Sequence, residues 1–252
     1  MPRYYPKMLL RERIATPDGK GRFVRAIFAT IADRYDFITV ILSYGQDRRW
    51  KRRLINLAGP LRAARALDLA TGTGDIAFAL AARGAHVVGL DITARMIELA
   101  RNKSMAEPEL QAPSRVGPRF LVGDMLALPF PSCSFDIVTT GYGLRNVPNL
   151  AVAIGEIERV LSPGGQMLSL DFNRPSNGIV RSAYLAYLTI VGGALGWILH
   201  RDPDTYRYIP ASIRQYPGAE AVARLFESRG FVGVRCYPVL GGLMTIHHAI
   251  RG

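Results

Sequence analysis

Residues 67–75, LDLATGTGD, carry an apolar run into a glycine-lined turn and on into a helical stretch. Leu67 and Leu69 read as a buried strand, while Gly72 and Gly74 let backbone amides approach a ligand with no Cβ in the way. A second apolar, β-branched segment, His86 to Leu90, closes on Asp91. That acid stands about 20 residues beyond the glycines, where a carboxylate accepts hydrogen bonds from ribose hydroxyls. NAD and S-adenosylmethionine both fit this spacing. The dinucleotide fingerprint G-x-G-x-x-G wants glycine three residues after Gly74, and Ala77 stands there, an exchange that such turns tolerate. A βα turn without a ligand is the remaining alternative.

Outward from this stretch, periodicity predicts helices over Arg22 to Asp33 and Ile38 to Ala58. Strands are expected at 65–70, 86–91, 119–123, 135–141 and 166–172, separated as parallel βαβ units require. Two last strands, Val232 to Leu240 and Leu243 to Ile250, meet at Gly241 and Gly242, so the final strand should run antiparallel. The expected fold class is α/β, one seven-stranded, mostly parallel sheet. Residues 1–62 would form a helical cap, and 63–252 a cofactor-binding domain interrupted by an insertion at 173–217. Gly141 falls at the carboxyl end of the fourth strand, where ligands of open α/β sheets sit.

The 252 residues, 49% hydrophobic and 21% charged, suffice for one substantial core. Cys133 and Cys236 are far apart without C-x-x-C spacing, which argues against a disulfide framework or a zinc site. The N-terminal MPRYYPKMLLRER lacks an apolar export segment, so a cytoplasmic location is expected. Of the net charge of +12, residues 1–62 hold +9, from 14 Lys or Arg against 5 Asp or Glu. The run DRRWKRR (47–53) mixes arginines with an aromatic ring, a pattern that suits nucleic acid. An anionic membrane surface and a solvated helix face are the other readings of the same charges.

Further strings are family-specific: YDFITVILSYGQDRRW (35–50), ALPFPSCSFD (127–136), GLRNV (143–147), RVLSPGG (159–165), DPDTYRYIPASIR (202–214) and the closing His247. With them the chain resembles, from about Phe28 to Arg251, the quinone-ring C-methyltransferases of menaquinone and ubiquinone biosynthesis, which are class I S-adenosylmethionine methyltransferases. The resemblance implies S-adenosylmethionine as cofactor and a polyprenylated quinol as substrate, with demethylmenaquinol ahead of the benzoquinol intermediate of ubiquinone. It assigns Thr73 to the glycine loop, Asp91 to the ribose, and Asp124 with Met125 to the adenine. The family often has Asn and Ala in the last two places. Ile38 and Thr39 replace a Met and an Asn in its YD motif, Ser162 replaces a Lys, and Asp171 and Asn173 replace a Glu and a Ser. These exchanges are expected on the substrate side.

Methyl transfer to a ring carbon needs an electron-rich ring held in line with the sulfonium methyl, and neither metal nor covalent nucleophile. A quinol hydroxyl has a pKa of roughly 10, so a nearby cation or base must favour its anion. Arg145 is the first candidate, oriented by Asn146, against the reading of an arginine that only bonds loop carbonyls. Tyr142 and His247 are candidate proton relays, and His247 reads equally well as a satisfied core histidine.

Within the insertion, Ala183 to Leu199 runs 17 residues without a charge. A spanning helix needs about 20, and Gly192, Gly193 and Gly196 are expected to weaken a regular helix here. A packed lid, a lid that also dips into lipid, and a transmembrane span are the three readings. Tyr184, Tyr187 and Trp197 suit an interface. The quinone resemblance favours peripheral contact with anionic lipid over nucleic acid. Three functions remain in view: quinol C-methylation, methylation of another lipid or phenolic molecule, and a binding role with catalysis lost.

Overall fold

The computed structural model describes residues 10–106, 117–175, 177–201 and 204–252. Seven strands form one sheet in the order β3-β2-β1-β4-β5-β7-β6. They are β1 (Arg65–Leu69), β2 (His86–Asp91), β3 (Arg119–Val122), β4 (Phe135–Gly141), β5 (Leu161–Phe172), β6 (Phe231–Val239) and β7 (Met244–Arg251). β7 pairs antiparallel with both β5 and β6, and the remaining pairs are parallel. The strand order reverses between β1 and β4, so their carboxyl ends diverge into a crevice there.

Period-two alternation divides the core between the two faces. Ala66, Ile137, Leu168 and Leu170 pack with α4 (Asp47–Leu57) and α5 (Asp75–Ala81). Leu67, Leu69, Val138 and Met167 pack on the other face with α7 (Leu150–Val160) and α10 (Ala219–Ser228). The same alternation turns Asp68 inward, where it is 1% exposed. It survives there because Thr71 and Thr139 donate their hydroxyls to it at 2.6 and 2.7 Å. Burial nevertheless pushes its pKa up to about 6.

The segments ahead of the sheet are α1 (Leu10–Arg13), α2 (Pro17–Ile31), α3 (Tyr35–Leu42) and α4. α2 begins five residues before the helix expected from periodicity. Thr16 caps it by accepting from the Gly19 amide at 3.1 Å, and Pro17 stands at its start. The single helix expected over Ile38 to Ala58 is two, because Tyr44 (φ 52°) and Gly45 (φ 72°) turn the chain left-handed between them. β5 starts at Leu161 rather than 166. Its register with β4 shifts between Phe135 and Ile137, and the irregularity takes up residues of the S-P-G-G stretch.

The insertion forms α8 (Gly178–His200) and α9 (Asp204–Gln215), with α6 (Ala94–Ala106) completing the helices in the sheet's crossovers. α8 is one continuous helix of 23 residues, so its glycines do not break it. Gly192 admits a neighbour instead: a Cβ there would stand 3.2 Å from Cβ of Tyr206 in α9. α8 is, among the described residues, the one helix long and apolar enough to cross a membrane, with 33% of its apolar window buried. Tyr184, Leu185 and Leu188 pack inward against Ile213, while Ile190, Trp197 and Ile198 are about two-thirds exposed.

Candidate active site

Two cavities flank the crevice at the strand ends and meet at Tyr142, Tyr35 and Phe28. The first, about 120 Å³, is walled largely by strand ends and loops: Ala70, Gly72, Asp91, Asp124, Gly141 and Gly143. Leu90, Ile92, Met96 and Met125 give it an apolar flank, and α2 covers it with Gly21, Val24 and Arg25. Asp91 ends β2 with Oδ2 accepting from the Gly72 amide at 2.9 Å and Oδ1 from the Thr93 amide at 2.8 Å. Burial raises its pKa, and those two amides work against the rise. The carboxylate thus holds the glycine loop in place and keeps lone pairs for a ligand. Asp124 is fixed similarly, accepting from the Leu126 amide at 2.9 Å.

Thr73 and Gly74 belong elsewhere. The Thr73 hydroxyl donates to Asp36 of α3 at 2.6 Å, tying the loop to the cap beside a small separate recess. Gly74 lines neither large cavity. It turns the chain at φ 91°, and a Cβ there would stand 2.8 Å from Phe78 and 2.9 Å from Phe120. Its glycine is thus required by the turn and by ring packing beneath the loop.

The second cavity, about 60 Å³, lies between α2 and α3 on one side and α8 and α9 on the other. Its walls are chiefly apolar and aromatic, among them Ile38, Leu42, Trp50, Phe172, Tyr184 and Tyr208. Arg145 is the cation on its wall. Only 5% exposed, it sits in a short 3₁₀ turn (Leu144–Asn146) just past β4. Its guanidinium lies 4.9 Å from the Phe172 ring centroid, donates to Ser212 Oγ at 2.5 Å and to Asn146 Oδ1 at 3.2 Å, and places Nε 3.2 Å from Asp171 Oδ1. The Asp171 carboxylate also accepts the Arg145 amide at 3.0 Å. Burial raises the Asp171 pKa and the Arg145 charge opposes it.

Asn146 donates to the Tyr142 carbonyl at 2.8 Å and accepts from Tyr208 at 3.0 Å. It therefore links the turn to α9. Lys20 of α2 pins the same turn from the other side, donating to the carbonyls of Arg145 and Val147, each at 2.9 Å. Burial and the nearby Arg145 charge bring its pKa down to about 8.

Tyr142, at φ 62°, turns its ring between the cavities and donates its hydroxyl to Asp47 at 2.6 Å. Burial first, and then Asp47, hold its pKa well above the usual phenol. His247 stands apart: it is 1% exposed in β7 and lines neither cavity. Its Nε2 is 3.0 Å from the Ala219 carbonyl, so that nitrogen carries the proton and Nδ1, 3.3 Å from Ser169 Oγ, accepts. Of its two readings, the geometry is that of a satisfied core histidine.

Among the exchanged motif positions, Ile38 and Thr39 line the second cavity, and Asp171 bears on it through Arg145. Ser162 and Asn173 do not. Ser162 accepts from Arg65 at 3.0 Å and donates to the Cys133 carbonyl. Asn173 bonds the Gly242 carbonyl and the Ala219 amide. In the basic run, Trp50 is buried in the core and Lys51 is ion-paired, which removes the aromatic ring from the nucleic-acid pattern. Asp47 and Lys20 carry no motif or periodic signal for these roles, since each acts through a partner distant in sequence.

The chain matches the ubiE/COQ5 methyltransferase family over residues 16–251. It is 40% identical over 223 residues to a demethylmenaquinone methyltransferase of Thermus thermophilus, covering 88% of this chain and 98% of that one. A ubiquinone/menaquinone biosynthesis C-methyltransferase, UbiE, of Stutzerimonas stutzeri is 35% identical over 235 residues, covering 92% and 90%. Among solved structures, magnesium protoporphyrin IX methyltransferase of Synechocystis with bound SAH aligns with a TM-score of 0.64 at 18% identity, over 92% of this chain and all of that one. A possible histamine N-methyltransferase of Thermotoga maritima aligns with the same score at 16% identity, over 91% and 100%. The fold is that of class I methyltransferases.

Proposed function

Since the chain belongs to the ubiE/COQ5 methyltransferase family, we propose that it transfers a methyl group from S-adenosylmethionine to a ring carbon of a polyprenylated quinol, demethylmenaquinol before the ubiquinone intermediate. The observation that carries this is the pair of cavities meeting at Tyr142, one built of strand-end backbone and acids, the other of aromatic side chains around a buried arginine.

The first cavity suits a nucleoside cofactor. Asp91 offers a fixed carboxylate for ribose hydroxyls, and the carboxyl of Asp124 stands where an adenine amino group can donate to it. Met125 packs against a flat ring. Ala70, Gly72 and Gly141 leave the backbone open to the methionyl part. Bound there, S-adenosylmethionine supplies an electrophilic methyl group. In the second cavity Arg145 faces a quinol oxygen, and its charge favours the quinolate whose electron density moves to the ring carbon. Asp171, Asn146 and Ser212 hold that guanidinium in one orientation. The aromatic wall excludes water.

The membrane holds such a substrate, and the outer surface of the cap suits it. Arg34 donates to the Leu199 carbonyl at 2.6 Å, and the Tyr44 and Tyr187 rings stack at 5.3 Å, so the residues flanking α3 at both ends are fastened to α8. Phe37, Val40, Ile190, Trp197 and Ile198 are exposed on these two helices, with Arg48, Arg49, Arg52 and Arg53 exposed on α4 beside them. This surface docks peripherally on anionic lipid at the cytoplasmic face.

The decisive assay incubates the protein with labelled S-adenosylmethionine and membrane lipid extract and identifies the labelled species. Labelled menaquinol supports the reading. Label in a non-quinone lipid would replace it. Cosedimentation with anionic vesicles should fall steeply as salt is raised, and equal binding to neutral vesicles would remove the electrostatic part.

A further inference from the structure

A quinol cannot become a quinolate inside an apolar cavity unless its proton has somewhere to go. From Tyr142, where the two cavities meet, a chain of short contacts leads outward. The Tyr142 hydroxyl donates to Asp47 Oδ1 at 2.6 Å. Asp47 Oδ2 lies 2.7 Å from Lys51 Nζ, and Lys51 Nζ lies 2.9 Å from Asp75 Oδ2. Side-chain exposure rises along the path from 4% at Asp47 through 13% at Lys51 to 39% at Asp75. The chain ends in an open groove of about 600 Å³ shared with Asp36 and Lys103. Lys103 flanks that end, 3.4 Å from Asp75 and 2.6 Å from Asp36.

A carboxylate as buried as Asp47 needs a reason to be where it is, and an ion pair with Lys51 is weak as a stability device. Hydrophobic residues of similar size would serve the packing of α4 as well. A hydroxyl, a carboxylate and an ammonium in unbroken contact from an apolar cavity to water suit the movement of a proton.

Resting on the quinol reading above, we propose that Tyr142, Asp47, Lys51 and Asp75 conduct the quinol hydroxyl proton to solvent, with Asp47 as the carboxylate that draws it out of the cavity. One proton leaves for each methyl group transferred. As the quinol O–H bond breaks, its proton passes to the Tyr142 oxygen while Tyr142 releases its own to Asp47. Lys51 passes a proton to Asp75 in the same motion as it takes one from Asp47, so that it stays an ammonium throughout, and Asp75 discharges into the groove. The electron pair left on the quinolate oxygen drives formation of the new carbon–carbon bond at the ring, and the sulfonium loses its carbon–sulfur bond and its charge. The dienone so formed returns to a quinol by moving its ring proton from carbon to oxygen, with none gained or lost. Arg145 sets how far the quinolate is favoured, and the relay sets how fast it forms. Asp47 acts through Tyr142 and is a positioning and conducting residue, not one that touches the ring.

The test separates rate from equilibrium with 4-methoxy-1-naphthol, a phenol that cannot be oxidised directly to a quinone and whose anion absorbs at longer wavelength. Stopped-flow mixing with the full chain should show naphtholate appearing on binding. In Asp47→Asn the rate of appearance should fall at least tenfold while the final amplitude stays near wild type, and formate should restore part of the rate. Tyr142→Phe should slow it equally, and the double variant should be no slower than either single one, as two steps on one path require. Circular dichroism and calorimetric affinity for S-adenosylmethionine check that the variants fold. If Asp47→Asn does not fold, the rate and the solvent deuterium isotope effect in Tyr142→Phe decide. Unchanged rates in the folded variants would overturn the relay and leave the function reading intact. Failure of the wild type to bind the naphthol would overturn the reading of the cavity, and the relay with it.

Discussion

The two cavities meet at Tyr142 but are built in opposite ways. The side proposed for the cofactor draws its polar contacts from the ends of β1, β2, β3 and β4, and Asp91 there is held by backbone amides 19 and 2 residues away. On the substrate side, polar side chains hold one another across the chain. Arg145 reaches Ser212 across 67 residues, and Lys20 reaches the Arg145 carbonyl across 125. A site made of backbone tolerates changes in the side chains around it, because strand pairing holds its geometry. A site made of paired side chains depends on each partner. Substitution should therefore weaken binding on one side and turnover on the other.

The largest expected effect is on turnover. Arg145→Gln should cut kcat about a hundredfold or more while calorimetry finds affinity for S-adenosylmethionine near that of the wild type. Because the change leaves Asp171 buried without its cation, Arg145→Lys is the companion, keeping the charge while losing the fork that grips Ser212 and Asn146. If both variants fold and keep their turnover, Arg145 is only a brace for its loop, and the substrate side loses its chemistry. Asp91→Ala tests the other cavity. The loss of a charge-assisted hydrogen bond should weaken S-adenosylmethionine binding by about 1.5 to 3 kcal/mol, with kcat at saturating cofactor much less affected. Equal affinity, or tighter binding of NAD by the wild type, would remove the cofactor assignment.

The same contrast governs what the sequence makes legible. Strand, glycine turn and acid lie within one stretch of chain, so β1, β2, Gly72, Asp91 and the antiparallel final hairpin follow from local pattern. Thr73 and Gly74 sit in that pattern, yet only packing decides which way a side chain points or what a missing Cβ makes room for. Thr73 turns to Asp36, and Gly74 makes room for two phenyl rings. The break at Tyr44 and Gly45 was written in the Ser-Tyr-Gly turn but masked by apolar residues at helical spacing on both sides. His247 reads alike as catalyst or core until the Ala219 carbonyl is seen beside it. Pairings such as Tyr142 with Asp47, 95 residues apart, leave no local trace.

The smallest expected effect concerns the scaffold beneath the cofactor loop. Asp68 is buried under the glycine turn with two threonine hydroxyls as partners, and its pKa is pushed up to about 6 from 3.8. Between those values the folded chain binds a proton that the unfolded chain has already lost. This group's contribution to stability therefore declines as pH rises from about 4 to about 6, and the cost of burying its charge is complete above that. Asn at this position has nearly the same shape, can accept from one threonine and donate to the other, and does not titrate. In Asp68→Asn the melting temperature relative to wild type should accordingly climb by a few degrees between pH 4 and pH 7, each kcal/mol being worth about 2–4 °C in a chain of this size. A difference that stays flat, or that turns against Asn as pH rises, would mean that the two hydroxyl bonds outweigh burial and that Asp68 is an ionised anchor of the glycine loop. The cofactor side would then rest on a second buried carboxylate beside Asp91, and the contrast with the substrate side would narrow.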